Sequence, residues 1–337
     1  MTSSPSGRKV HVLSQYLWPD DAPTGIYAEQ LADALAASGV GVRLVGGTGR
    51  YRSGERPAPT SPIERVDHYN ARRGNLFSTA REYVSVSRAF GKYIEDVVRR
   101  GDVVIVSSAP PTTVGLCRTV HERGGVAVYW LQDFYPQLVR GVWDPRPFLT
   151  EIVSRWWRRK LATWDHVVKV AGNLDYQGPN SRIIRNWPTV DLGELRPFKP
   201  RTALYSGNLG YGHHLPSFLA LCEELRREGY EITVRGDGPG LSRLPGWIRK
   251  EEPLRRPEDL VRSYWEAEVH LVAAHPLLPG AVFPSKFWNA HATGRRIRFS
   301  GLIGPMLAEV AEAEKSDARQ HLSLWVDFLT GLLREAA

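Results

Sequence analysis

The feature that most constrains this chain is a twofold alternation of short, largely apolar runs with longer stretches of helical periodicity. In the first half the apolar runs are Val10–Gln15, Val40–Val45, Val103–Ser107, Val126–Leu131, Val167–Val170 and a short one at Ile183–Ile184. Helical patterns lie between them at Ile26–Ala37, Leu76–Arg100, Val114–Arg123 and Glu151–Trp164. Runs of roughly four to eight apolar residues bounded by turn signals read as buried strands, and strand–helix–strand order implies parallel pairing with right-handed crossovers. The pattern recurs at Thr202–Ser206, Leu215–Glu228, Glu231–Val234, a helix ending at Tyr264–Ala267, and His270–Ala274. From Trp187 to Pro200 the chain is rich in proline and charge without periodicity, which marks a linker. The expected architecture is α/β, with two Rossmann-like domains facing across a cleft. Residues 1–190 form the first, 191–318 the second, and 319–337 a terminal helix (Arg319–Arg334) that packs back.

A length of 337 residues exceeds what one hydrophobic core usually serves, in keeping with two domains. With 42% hydrophobic and 24% charged residues, the chain is neither disordered nor membrane-embedded in composition. Its net charge of +8 suits anionic ligands. The arginines are scattered and no nucleic-acid-binding motif appears, so phosphorylated small molecules are expected rather than nucleic acid. Cys117 and Cys222 are far apart in apolar helical patterns and read as reduced core thiols of a cytoplasmic protein. Met1–Lys9 is polar, so no signal peptide is expected, and no run approaches the roughly 20 apolar residues of a membrane helix. His, Cys and carboxylates do not cluster at metal-ligand spacing, so no metal is expected.

Chemistry concentrates in a few places. In Phe283–Gly294, Ser285 is a candidate N-cap and Gly294 a candidate C-terminal stop, which puts Lys286 in the first turn of a helix. A cation is slightly disfavoured there by the helix dipole, so its presence makes sense opposite an anion such as a diphosphate. Gly207-Asn-Leu-Gly210 follows an apolar run and opens a helix, a place where backbone can approach a ligand closely. Thr24-Gly25 could present N–H groups to a phosphate or a substrate hydroxyl, or be a simple capped turn. Asp133 follows a strand at its carboxyl end, where open α/β sheets place ligands; capping the next segment is its alternative role. Gly46–Gly49 lacks the dinucleotide fingerprint and reads as a flexible loop. Arg155–Lys160 interleaves tryptophan with basic residues. This could lie on a membrane surface, but tryptophans packed on the sheet with arginines outside is the favoured reading.

Six short stretches occur in order: Ser14-Gln-Tyr-Leu-Trp-Pro-Asp20 with Pro23-Thr-Gly25, Leu131-Gln-Asp-Phe-Tyr-Pro136, Ile184-Arg-Asn-Trp187, Tyr205-Ser-Gly-Asn-Leu-Gly210, Gly236-Asp-Gly-Pro239, and Pro284-Ser-Lys286 with Ala292-Thr-Gly294. Together, over roughly residues 10–300, they resemble the family-four glycosyltransferases, retaining enzymes of the GT-B fold. The resemblance implies a nucleotide-sugar donor held mainly by the second domain and an acceptor held mainly by the first. It places the diphosphate at Gly207–Gly210 and Lys286, and the nucleobase near Gly236–Gly238 and Ile248–Leu254. The implied donor-binding set is Gly25, Gly207, Asn208, Gly210, His213, Arg235, Gly236, Ser285, Lys286 and Asn289. Thr24 and Asp133 would meet the acceptor, and Asp133 and Lys286 would serve catalysis. The nucleotide-sugar is a co-substrate, and neither metal nor other cofactor is implied. Where the family often has glutamates around this lysine, the chain has Ala281 and Asn289; where relatives often have an arginine after the glycine loop, it has Tyr211. Arg235 would then supply the missing cation, and Asn289 would bond the ribose. After Gly304 the chain is short, leaving one terminal helix.

The expected activity is transfer of a sugar from a UDP- or GDP-linked donor with retention at the anomeric carbon. The leaving phosphate would assist acceptor deprotonation on the same face, while Asp133 orients the substrates. The charge on Leu76–Arg100 leans toward a soluble small-molecule acceptor, as in natural-product biosynthesis, with peripheral membrane contact not favoured. Lipid-linked or polysaccharide acceptors, a non-catalytic glycosyltransferase-like subunit, and a GT-B epimerase are the alternatives. A nicotinamide dehydrogenase is disfavoured by the missing fingerprint.

Overall fold

A computed structural model describes residues 7–48, 56–71, 75–138, 147–210, 212–254 and 256–336. Two wholly parallel sheets organise them. The larger comprises β1 (Lys9–Ser14), β2 (Gly41–Gly47), β3 (Ile63–Val66), β4 (Val103–Ser107), β5 (Val126–Leu131), β6 (His166–Lys169) and β7 (Ser181–Ile183), in the order β3-β2-β1-β4-β5-β6-β7. The smaller comprises β8 (Lys199–Ser206), β9 (Glu231–Arg235), β10 (Arg249–Glu251), β11 (Ala267–Ala273) and β12 (Arg296–Ser300), in the order β10-β9-β8-β11-β12. Helices α1 (Pro23–Ala37), α2 (Leu76–Val97), α3 (Cys117–Glu122) and α4 (Pro147–Leu161) connect the first set. Helices α5 (Leu215–Arg227), α6 (Pro257–Glu266) and α7 (Lys286–Ala292) connect the second.

The apolar runs explain the central strands. Every residue of β4 and all but the first of β5 is buried, as a parallel sheet covered on both faces requires. Strand β3 was not anticipated. Four residues in a polar, proline-rich stretch carry no periodic signal, and only pairing of Leu44–Gly47 with Ile63–Val66 creates the strand. Gly46 and Gly47 complete β2 instead of forming a loop; Gly49 lies outside the described residues. The helix expected over Val114–Arg123 is split into a 3-10 turn (Pro111–Leu116) and the short α3. Cys117 and Cys222 are free and buried.

The chain after Gly304 forms two α-helices rather than one, α8 (Pro305–Glu314) and α9 (His321–Glu335), joined by a 3-10 turn. Both return to the larger sheet: Met306, Val310, Trp325 and Leu329 share one buried cluster with β1, β4 and β5. The Trp325 ring lies 4.6 Å from that of Trp130 on β5. Arg185 pairs with the buried Glu309 at 2.8 Å, and His321 Nδ1 lies 2.7 Å from Asn186 O. Phe287 and Trp288 of α7 belong to the same cluster, with the Trp288 ring 5.1 Å from that of His321. A helix that connects two strands of the smaller sheet is thus anchored in the core shared with the larger one.

Candidate active site

Strand order reverses between β1 and β4 in one sheet and between β8 and β11 in the other. Loops leaving strand carboxyl ends diverge at such points and open a crevice. Segments following β1, β5, β8 and β11 converge on one cavity of about 530 Å³ between the lobes. Of the residues expected at the site, Asp133, Gly207, Asn208, His213, Arg235, Gly236, Ser285, Lys286 and Asn289 line it. A second cavity of about 640 Å³ shares Asp21, Ile26, Thr189, Leu254 and Leu260 with it but none of the glycine-loop or lysine groups.

Lys286 is the first residue of α7, and Gly294 follows its end at φ +65°. Ser285 occupies the N-cap position but is itself helical (φ −59°, ψ −26°), and its hydroxyl makes no capping bond. What holds the lysine is the aromatic face behind it, since Phe287 and Trp288 are fully buried. The lysine side chain runs across Gly207: a Cβ there would fall 2.3 Å from Lys286 Cε. Its ammonium stands 5.5 Å from the Tyr205 ring centroid and, among the described residues, has no ion-pair partner. Burial lowers its pKa to about 8. Burial, and secondly the Lys286 charge, push His213 down to about 3, so that imidazole is neutral. Asp133 leaves β5 with its N–H donating to Ser108 Oγ at 3.2 Å. Its carboxylate caps nothing and has no side-chain partner among the described residues; burial raises it to about 6. An uncompensated ammonium and an uncompensated carboxylate therefore share one cavity.

Other expected contributors are already engaged. Arg235 donates from Nε to Glu251 at 2.8 Å and makes further bonds to Glu251 and the Ser263 hydroxyl, so its charge is balanced within the protein. The sequence offered no sign of this, because the partners stand on different elements. In the glycine loop, the N–H groups of Gly207 and Leu209 donate to Arg235 O and Asp237 O, both at 2.8 Å. Gly207 (φ +131°) and Gly236 (φ +155°) let two loops touch backbone to backbone; a Cβ at Gly236 would lie 2.0 Å from Gly207 O. Gly210 is tied to His213, its N–H 3.2 Å from Nδ1, and does not line the cavity. Asn289 Oδ1 accepts from Thr189 N at 2.8 Å, and its Nδ2 donates to Thr189 Oγ1 at 2.9 Å, so it locks the linker to α7.

Ala281 is buried, its carbonyl accepting from Phe134 N at 2.7 Å. Thr24 and Gly25 lie outside the cavity; α1 begins before them, and Gly25 N donates to Ala22 O at 2.9 Å. Of Ile248–Leu254, Ile248 is a core residue and only Pro253 and Leu254 reach the cavity. Tyr211 lies outside the described residues. Ser206, Thr189 and Tyr264 also line the cavity and escaped sequence reasoning, since no local pattern distinguishes them from core or linker residues. Among the described residues, no three His, Cys, Asp or Glu side chains group to hold a metal ion, and no helix is long and apolar enough to cross a membrane.

Neither a protein-family model nor a curated protein sequence matches the chain. Solved structures do. An alpha,alpha-trehalose-phosphate synthase (UDP-forming) from Burkholderia xenovorans, in complex with glucose-6-phosphate, superposes with a TM-score of 0.58 at 12% identity, covering 97% of this chain and 96% of that one. WaaG, a glycosyltransferase involved in lipopolysaccharide biosynthesis, gives 0.54 at 16% identity, over 97% and 94%. Phytolacca americana UGT2, complexed with UDP-2-fluoro-glucose and pterostilbene, gives 0.52 at 9% identity, over 100% and 94%. At such identities the likeness concerns the backbone, and with two Rossmann-like lobes around an interlobe cleft the chain has the GT-B fold of these glycosyltransferases.

Proposed function

We propose that the chain is a retaining glycosyltransferase that moves a sugar from a UDP- or GDP-linked donor to an acceptor. One observation carries this: the Lys286 ammonium, laid over Gly207 in the interlobe cavity that also holds Asp133, both without a charged partner among the described residues. A half-buried cation without a counter-ion is costly unless an anion completes it. The diphosphate of a nucleotide-sugar is such an anion, and the fold relative UGT2 is complexed with UDP-2-fluoro-glucose. In this reading Lys286 meets the diphosphate, and Pro253 and Leu254 offer an apolar wall for the nucleobase. As the bond from the anomeric carbon to the diphosphate breaks, charge grows on the leaving oxygen, where a desolvated ammonium is most effective. The acceptor oxygen bonds to the same face, and its proton passes to the departing phosphate, while Asp133 orients the acceptor hydroxyl. The nucleotide-sugar is a co-substrate, and no separate cofactor takes part.

The acceptor does not follow from the fold, since the relatives' complexes hold glucose-6-phosphate in one case and pterostilbene in another. Nor does α2 argue for a soluble acceptor, because its outer face exposes Phe77 (91%) and Val84 beside its charges.

The direct test is titration calorimetry with UDP and GDP, followed by donor turnover. Binding to either nucleotide is expected. No binding at millimolar concentration would leave a non-catalytic subunit as the better description. Two further outcomes follow from the geometry. Asp133 must be ionised and Lys286 protonated, so kcat/KM should rise as pH passes about 6 and fall as it passes about 8. A profile flat between about pH 5 and 9 contradicts these roles. Gly207→Ala, whose methyl would displace Lys286 Cε, is expected to weaken nucleotide binding about tenfold; unchanged affinity would separate the lysine from the phosphate.

A further inference from the structure

Helix α4 has two unlike faces. Inward, Ser154, Trp157 and Leu161 are buried, and the Trp157 ring packs 5.2 Å from that of Phe134, the residue after Asp133. Outward, Phe148 (74% exposed), Ile152 (49%) and Trp156 (50%) recur every four residues and form one stripe along the helix. The expectation that both tryptophans pack on the sheet holds for Trp157 alone. Arg155, Arg159 and Lys160 flank the stripe and are exposed, and Lys160 Nζ lies 5.9 Å from the Trp156 ring centroid. Glu151, the helix's sole acidic residue, is already bonded to Arg155 at 3.1 Å.

A continuous apolar stripe left to water costs free energy that monomers usually avoid, which marks it as a contact surface. Aromatic and aliphatic side chains in line, with basic groups along the margin, match a helix lying in a lipid headgroup boundary. The rings enter the acyl edge while the basic tips meet anionic phosphates. A second copy of the chain fits less well, because a twofold contact of this face with itself would oppose like charges. We propose that the outward face of α4 docks the protein on an anionic lipid surface. Arg158 of the same helix lies 5.5 Å from the Phe134 ring, so the docking helix and the segment carrying Asp133 are one packed unit. On the transferase reading, which this last step requires, the acceptor is one carried at that lipid surface.

Flotation of the full chain with phosphatidylcholine vesicles, with and without about 30% phosphatidylglycerol, tests the docking. Binding is expected on the anionic vesicles only, and it should weaken when salt is raised from about 0.1 to 0.5 M. The double variant Ile152→Asn/Trp156→Ser should lose about tenfold or more in partitioning, at an unchanged melting temperature because both side chains are exposed. Equal binding of wild type to neutral vesicles, no binding to either, or undiminished binding of the double variant would overturn the proposal. So would a wild-type dimer that the double variant dissolves. UDP calorimetry on the same preparations separates the two readings: failure there strikes the donor site, and failure on vesicles strikes the docking face.

Discussion

Lys286→Ala is expected to lower kcat/KM for donor turnover by about 100- to 1,000-fold, the scale of losing one preorganised charge stabiliser at a leaving group. Among the described residues that line the cavity, no other cation can stand in. Arg235 is held by Glu251 and Ser263, and His213 is neutral well above its pKa of about 3. If the ammonium binds the diphosphate equally in ground and transition states, the loss will appear in KM; if it acts on developing charge, in kcat. Lys286→Arg should rescue little, because a planar guanidinium is bulkier than the stem that fits over Gly207. The stability effect has the opposite sign. The folded pKa of about 8 lies below the ordinary lysine value of 10.5, so the unfolded chain binds the proton more tightly. This site's contribution to stability therefore improves as pH rises from about 8 to 10.5. The alanine variant should lack that slope and melt no lower than wild type at neutral pH. A change of less than about threefold in kcat/KM would remove the lysine from the chemistry.

Trp325→Ala is expected to destabilise the protein by about 3–5 kcal/mol, the range for emptying a large aromatic site in a core. Its ring is fully buried against Trp130 and Phe328 and joins the terminal helix to the central strands of the larger sheet. Thermal unfolding should shift down by roughly 6–20 °C. Trp325→Phe should cost much less, because the indole N–H has no partner to leave unpaired. Nucleotide affinity should fall in the alanine variant as well. His321, one turn before Trp325, packs on Trp288, and Trp288 seats the helix that begins with Lys286. Urea denaturation checks the first effect and calorimetry the second. A loss under about 1 kcal/mol would mean that α9 is an accessory rather than part of the core.

By itself the sequence determined the parallel α/β lobes and the start of α7. A short unbroken apolar run such as Val103–Ser107, bounded by turn residues, reads as a strand covered on both faces, and the helical pattern after Ser285 places Lys286 through local geometry alone. Those signals lie within a few residues of one another. Tertiary structure decided the rest. It paired Arg235 with Glu251, turned Asn289 toward Thr189, made β3 by giving it β2 as a neighbour, and sent α8 and α9 back to the larger sheet. It also put Trp157 inside and left Trp156 outside, a difference of one position that composition cannot express. Whether a charge in a sequence is free or spent depends on which partner folding brings to it. That is why the lysine could be located from its own surroundings while the state of its neighbours could not.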